Sequence, residues 1–280
     1  MQLRETAVIK TGVATQDGAG VKLTRVLGYN DTKQIDPFLM LDAFDSHNPS
    51  DYIKGFPMHP HRGIETFTYL IKGNIEHQDS LGNKGIIQDG MAQWMSSGSG
   101  IIHQEMPIAS PHLMGLQLWI NIPSKNKMDR PTYLDIRGDM IKEIDEDKAH
   151  IRLISGNYKN IPGLKPQYVQ ARICDVSLFK DGEFTLDTPS THTLFIYVFT
   201  GELHNLSDHK TYVPKQAIIF TKGDQLKLQA TQDSRFMVYE GLALNQGIAW
   251  RGPIVMTTQT ELYQAFDDLE NGTFIKTYEK

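Results

Sequence analysis

The feature that most constrains this chain is a strand-and-glycine cassette that occurs twice. FTYLIKG at 67–73 and FIYVFTG at 195–201 share Phe, Tyr and Gly in register. AQWMSSGSG at 92–100 and AIIFTKGDQ at 217–225 follow each in turn, sharing Ala and Gly. Short alternating runs closed by glycine or Asp-Gly fill the rest of the chain: TAVIKTGVAT, VKLTRVLGY, ETFTYLIKGNIEHQDS, GLQLWINIP. Period-2 alternation with such punctuation predicts strands joined by tight turns, hence an all-β sandwich or barrel. The recurrence predicts two β-domains in tandem. A third match, Asp17-Gly18 with Asp181-Gly182, has an offset of 164 residues against 128 for the first cassette. The first half is therefore expected to carry about 36 additional residues, and a pair of histidines falls within them.

The junction is expected in the polar, proline-bearing stretch between Pro123 and about Pro162, giving domains 1–135 and 136–280. One helix is predicted, near the C-terminus. Thr258 and Glu261 form a capping box, Leu262, Ala265, Phe266 and Leu269 an apolar stripe, and Gly272 the stop. The 280 residues suffice for a sizeable core. A net charge of −5 argues against a phosphate-binding surface, so no direct nucleic-acid partner is expected. No run is long and apolar enough for a membrane span and no signal peptide is seen. A single cysteine, Cys174, in an alternating run, reads as a core residue and fits a reducing cytoplasm.

FPMHPHRGIET, residues 56–66, sets His59 and His61 two apart, so that in a strand both rings project to one side. That spacing alone is common. SGSGIIHQEMP then sets His103 and Glu105 at the same spacing. Three imidazoles and one carboxylate suit iron, manganese, nickel, copper or zinc, and suit the harder calcium and magnesium poorly. His77 and Asp79 alternate likewise but read as a polar pair at a strand end, with a supporting role as the alternative. Phe56 and Met58 flank the histidines as expected walls of an aromatic pocket. Gln93, Trp94 and Met95 are expected to pack the barrel floor, with Trp94 a candidate for lining the cavity. Ser97 and Ser99 have no nucleophile-elbow pattern around them.

HPHRGIET followed by SGSGIIHQE resembles the two cupin motifs, and the fuller pattern resembles the pirin family. FLMLDAF, DYIKGFPMHPHRG, QWMSSGSGIIHQEMP, GLQLWINIP and GPIVMTTQTELYQAFDDLENGTF all look like pirin segments. The resemblance implies a bicupin: two jelly-roll barrels (double-stranded β-helices) with a C-terminal helix. It implies His59, His61, His103 and Glu105 as ligands of one divalent transition metal per chain, iron first, with manganese, nickel, copper, zinc and cobalt as alternatives. Glu65 stands where many other cupins place their ligand carboxylate; here it is expected to take a supporting, pocket or structural role. The corresponding positions of the second half, near Asp187, Pro189, Leu228 and Ala230, carry no ligand set. The activity implied is that of a quercetin 2,3-dioxygenase, with a flavonol-like aromatic substrate, O2, and Glu105 as general base, Glu65 being the alternative. The alternative is a non-enzymatic, iron-dependent, redox-sensing binding protein that regulates a transcription factor or a metabolic enzyme, and so has a protein partner.

Overall fold

Gly73 and Gly201, which close the two related runs, both adopt positive φ (98° and 83°), where any side chain is disfavoured. The likeness extends to the pairing. Tyr69 lies opposite Ala92 in one unit, and Tyr197 opposite Ala217 in the other. The computed structural model describes residues 1–278.

One unit comprises residues 13–29, 38–138 and 245–280. Its larger sheet runs in the order Thr132–Ile136, Ala92–Ser96, Ile64–Lys72, Leu113–Asn121, Phe38–Ser46, Val21–Leu27, Val13–Asp17. The smaller runs Phe56–His61, Ile101–Ile108, Asn74–Asp79, Lys84–Ile87. Neighbouring strands are antiparallel throughout both sheets. The sheets face one another through Leu23, Phe44, Leu70 and Leu113 from one side and Ile75 and Ile87 from the other. This is the jelly-roll barrel the sequence predicts.

The other unit comprises residues 1–12, 30–37 and 139–244. Its sheet is dominated by His192–Asn205 and Gln225–Leu242, strands long enough to serve both faces of a barrel because they bend at register shifts around Gly201. Leu228 and Ala230 are fully buried in an apolar core with Phe184, Leu186, Leu203 and Phe236. The interior that holds histidines in the first barrel is here filled with hydrocarbon. Cys174 lies in the same core, and burial pushes its thiol up to about 12, consistent with an inert packing residue.

Two expectations need correction. The units do not divide at 135/136. Strand Thr6–Thr11 pairs with Gln216–Phe220, so the first residues belong to the unit built mainly from the second half. The C-terminal helix belongs to the histidine-bearing unit. The third repeat match also fails. Asp17-Gly18 closes a true hairpin, with Asp17 opposite Val21. Asp181-Gly182 marks a corner between Arg172–Leu178 and Glu183–Asp187, both of which pair with Gln225–Leu242. The estimate of 36 inserted residues therefore falls with it.

The helix itself forms as expected, Gln259–Glu270, with the reciprocal Thr258–Glu261 capping box in place. Such a cap contributes about 1 kcal/mol. Leu262 and Ala265 are buried against Ala249, Ile254 and Met256, with Phe266 and Leu269 packed alongside. Among the described residues no helix is long and apolar enough to cross a membrane.

Candidate metal centre

Strand Phe56–His61 holds two prolines because it is an edge strand, hydrogen-bonded on one side to Ile101–Ile108. His59 lies opposite His103 in that pair. Alternation points His59 and His61 to the same side, and their Nε2 atoms stand 3.0 Å apart. Gly63 then turns the chain at φ +80°; a Cβ there would sit 2.0 Å from the Val255 carbonyl oxygen, so only glycine fits.

Nitrogens of His59, His61 and His103 all lie within 4.8 Å of one another. His59 Nδ1 lies 2.9 Å from the Pro57 carbonyl and His61 Nδ1 2.9 Å from that of Pro253. A carbonyl only accepts, so each Nδ1 carries the proton and each Nε2 turns a lone pair inward. Two such lone pairs at 3.0 Å repel unless a cation lies between them. His103 is fully buried, and neither of its ring nitrogens has a hydrogen-bond partner among the described residues. Burial, reinforced by the neighbouring imidazoles, pushes His61 down to about 3 and His103 well below its ordinary value. Three neutral imidazoles with inward lone pairs are what a transition-metal ion requires. The donor set fits the metal.

Glu105, two residues beyond His103 on the same strand, is buried and turned onto a cradle of donors. Oε1 accepts from Thr68 Oγ1 at 3.1 Å and from Gln93 Nε2; Oε2 accepts from Gln117 Nε2 at 2.6 Å. Its carboxylate therefore stands outside the cluster of three histidines as the cradle holds it. Gln93, Thr68, Gln117 and Asp42 occupy one register row across four strands. Sequence reading missed Thr68, Gln117 and Asp42 and gave Gln93 only a packing role. Polar residues at inward positions of otherwise apolar strands, as in LQLW and LDAF, were the available signal. The Pro253 carbonyl had none, being backbone.

His77 and Asp79 close strand Asn74–Asp79, as expected, but both are buried, opposite Glu105 and His103. His77 Nε2 lies 3.2 Å from Asp79, its ring stacks on Tyr133 at 4.0 Å, and it stands 5.4 Å from His103. Phe56 lines the cavity because a bulge, with Glu105 opposite Phe56, restores its inward direction. Met58 is off that parity and 49% exposed, so it is no pocket wall.

Glu65 takes a structural rather than a pocket role, and Trp94 packs rather than lines the cavity. Thr66 pairs with Trp119 and Met95 on the inner face; Glu65 pairs with Ile120 and Ser96 on the opposite face, and Trp94 with Phe67 there too. The Gly63 turn shifts the parity counted from His61, which carries Glu65 away from the histidines. Burial raises the Glu65 carboxyl to about 8, offset in part by the Trp94 indole N–H, which leans toward it outside proper hydrogen-bond geometry. The folded protein thus binds a proton that the unfolded chain releases near pH 4.5, so this group lowers stability progressively as pH rises from about 4.5 to 8. At roughly 1.4 kcal/mol per pKa unit, Glu65→Gln is expected to match wild type near pH 4.5 and exceed it by a few kcal/mol above pH 8. Denaturant titrations across that range check this; parallel curves would refute it.

A cavity of about 680 Å³ opens onto His59, His61 and Glu105. Trp119, Trp250, Phe44 and Phe56 line it, and Arg25, paired through two hydrogen bonds with Asp42 and a third with Asp17, forms a polar patch in its wall. Trp119 stands edge-on to His61 at 5.1 Å and lies 5.6 Å from Trp250.

Two family models match: pirin over residues 20–120 and the pirin C-terminal cupin domain over 173–275. A pirin-like protein of Caulobacter vibrioides is 37% identical over 278 residues, covering 98% of this chain and 100% of that protein. A quercetin 2,3-dioxygenase from Acinetobacter baumannii superposes with a TM-score of 0.89 at 31% identity, covering 97% of this chain and 98% of that one. A bacterial pirin of Escherichia coli, solved in complex with nickel(II), shares the fold: TM-score 0.68, 19% identity, 84% of this chain and 98% of that one.

Proposed function

Since the chain belongs to the pirin family, we propose that it is a metal-dependent dioxygenase that opens the ring of a flavonol such as quercetin with O2 and releases carbon monoxide. The observation that carries this reading is the cavity: aromatic side chains line a space of about 680 Å³ onto which His59, His61 and Glu105 open. Likeness to the Acinetobacter enzyme supports the substrate class. In this reading His59, His61, His103 and Glu105 hold the metal, iron first, with manganese, nickel, copper, zinc and cobalt able to use the same donors. When bound, any of these metals would supply Lewis-acid chemistry toward a phenolic oxygen, and iron would add one-electron chemistry toward O2.

The chain's own residues do the rest. Trp119, Trp250, Phe44 and Phe56 hold a planar ring system and exclude water. Glu105 takes the proton of the substrate hydroxyl. Donors from Thr68, Gln93 and Gln117 orient its carboxylate. The Arg25–Asp42 pair faces the remote end of the ligand. The redox-sensing alternative would use the same histidines, but it leaves the aromatic cavity without an occupant.

The test is protein loaded with ferrous iron and incubated with quercetin in air, following loss of flavonol absorbance together with carbon monoxide. Turnover that disappears in His59→Ala and in Glu105→Ala is expected. Absence of turnover with all six metals, together with a protein partner that distinguishes ferric from ferrous protein, would replace this reading with the regulatory one.

A further inference from the structure

Trp119 touches both halves of the metal centre. Its ring stands edge-on to His61, 85° between planes, and its indole N–H donates to Gln117 Oε1 at 3.3 Å. An indole nitrogen can only donate, which leaves the Gln117 amide one orientation: oxygen toward Trp119, NH2 toward Glu105. That NH2 reaches Glu105 Oε2 at 2.6 Å and Thr68 Oγ1 at 3.2 Å. A flipped amide would set its carbonyl against the carboxylate and leave the indole N–H opposite another donor. Strand register builds the arrangement. Gln117 and Trp119 are both inward positions of Leu113–Asn121, opposite Asp42 and Met40 on one side and Thr68 and Thr66 on the other.

We propose that Gln117 and Trp119 are positioning residues for the metal centre: Gln117 holds the Glu105 carboxylate beside the histidine cluster, and Trp119 fixes the amide that does so. The inference rests on the reading of Glu105 as the fourth ligand. It gives Trp119 two duties, because the indole that fixes Gln117 is also part of the cavity wall on which an aromatic ligand would rest. Occupancy of the cavity and the donor set below it are then linked through one side chain.

Cobalt(II) is a suitable probe, since its electronic spectrum reports ligand geometry independently of turnover. Trp119→Phe keeps a ring beside His61 and removes the donor; Gln117→Glu keeps the shape and sets a carboxylate against Glu105. Loss of an outer partner of a ligand commonly costs 10–100-fold in affinity. Trp119→Phe is expected to weaken cobalt binding about 10-fold and Gln117→Glu about 100-fold, each with a shifted spectrum. In a Glu105→Gln background neither change should weaken binding further. If Glu105→Gln itself binds cobalt like wild type, the ligand reading fails and the inference with it. If Glu105→Gln is weakened but Trp119→Phe and Gln117→Glu bind with wild-type affinity and spectrum, the ligand reading survives and the positioning inference is overturned. Equal losses in both backgrounds would also overturn it, since the tryptophan would then act through His61.

Discussion

Replacing His103 with leucine is expected to abolish metal binding and at the same time to make the metal-free protein more stable. His103 is fully buried, burial keeps it neutral, and neither ring nitrogen has a partner among the described residues. An unsatisfied buried polar group costs about 1–3 kcal/mol, which leucine removes while filling similar space. The site would lose one of three converging imidazoles, a larger change than the roughly 10–100-fold that loss of an outer partner produces. Metal at a thousand times its dissociation constant stabilises the wild type by about 4 kcal/mol, because it binds the folded chain alone. The order of melting temperatures should therefore invert: His103→Leu above wild type in chelator, below it in saturating metal. A wild type that melts higher under both conditions would show that the histidine has a structural partner of its own.

The second large effect is expected at Asp268. Arg62, next to His61 in sequence, is 1% exposed, and Nη1 donates to Asp268 Oδ2 at 2.7 Å. Nη2 donates to the Phe274 carbonyl at 3.0 Å, and the guanidinium lies 4.3 Å above the Phe274 ring. Removing one partner of a buried pair leaves an uncompensated charge and costs about 3–5 kcal/mol. Asp268→Ala should lose that much by denaturant titration. It should also weaken metal binding, because helix Gln259–Glu270 packs on the segment whose Pro253 carbonyl orients His61. Burial alone would raise the Asp268 carboxyl, but hydrogen bonds from Lys276, Arg62 and Gln264 more than offset it and hold it well below the usual range. A depressed carboxylate stabilises above its unfolded pKa of about 3.8 and loses that contribution as pH falls further. Wild type should thus show a stability loss below about pH 4 that Asp268→Ala lacks. An Asp268→Ala protein within 1 kcal/mol of wild type would mean that Arg62 finds water or another acceptor.

The parts of this architecture legible in sequence are those where a local rule governs. Period-2 alternation aligned His59 with His61, the Thr258–Glu261 pair announced its helix, and the recurring Tyr and Ala proved to be the same cross-strand pair in both units. What escaped depends on events between elements. The turn at Gly63 shifts the alternation between His61 and Glu65, and the pairing of Trp94 with Phe67 turns that indole to the same outer face. A bulge rescued Phe56 but not Met58. The Pro253 carbonyl reaches His61 from 192 residues away, and no residue type marks a carbonyl. The Glu105 cradle needed the register of four strands at once. The assignment of the terminal segments could not be read from a repeat, because each joins the unit distant from it in sequence.

That exchange of ends bears on how the protein comes to be loaded. During synthesis His61 leaves the ribosome 192 residues before Pro253, which means tens of seconds at low elongation rates. A nascent barrel would thus present its imidazoles with one of them untethered, at a stage when any thiophilic or borderline cation in the cell can compete. Selective loading is best served by waiting for the last hairpin and helix to dock, when the Pro253 carbonyl has oriented His61.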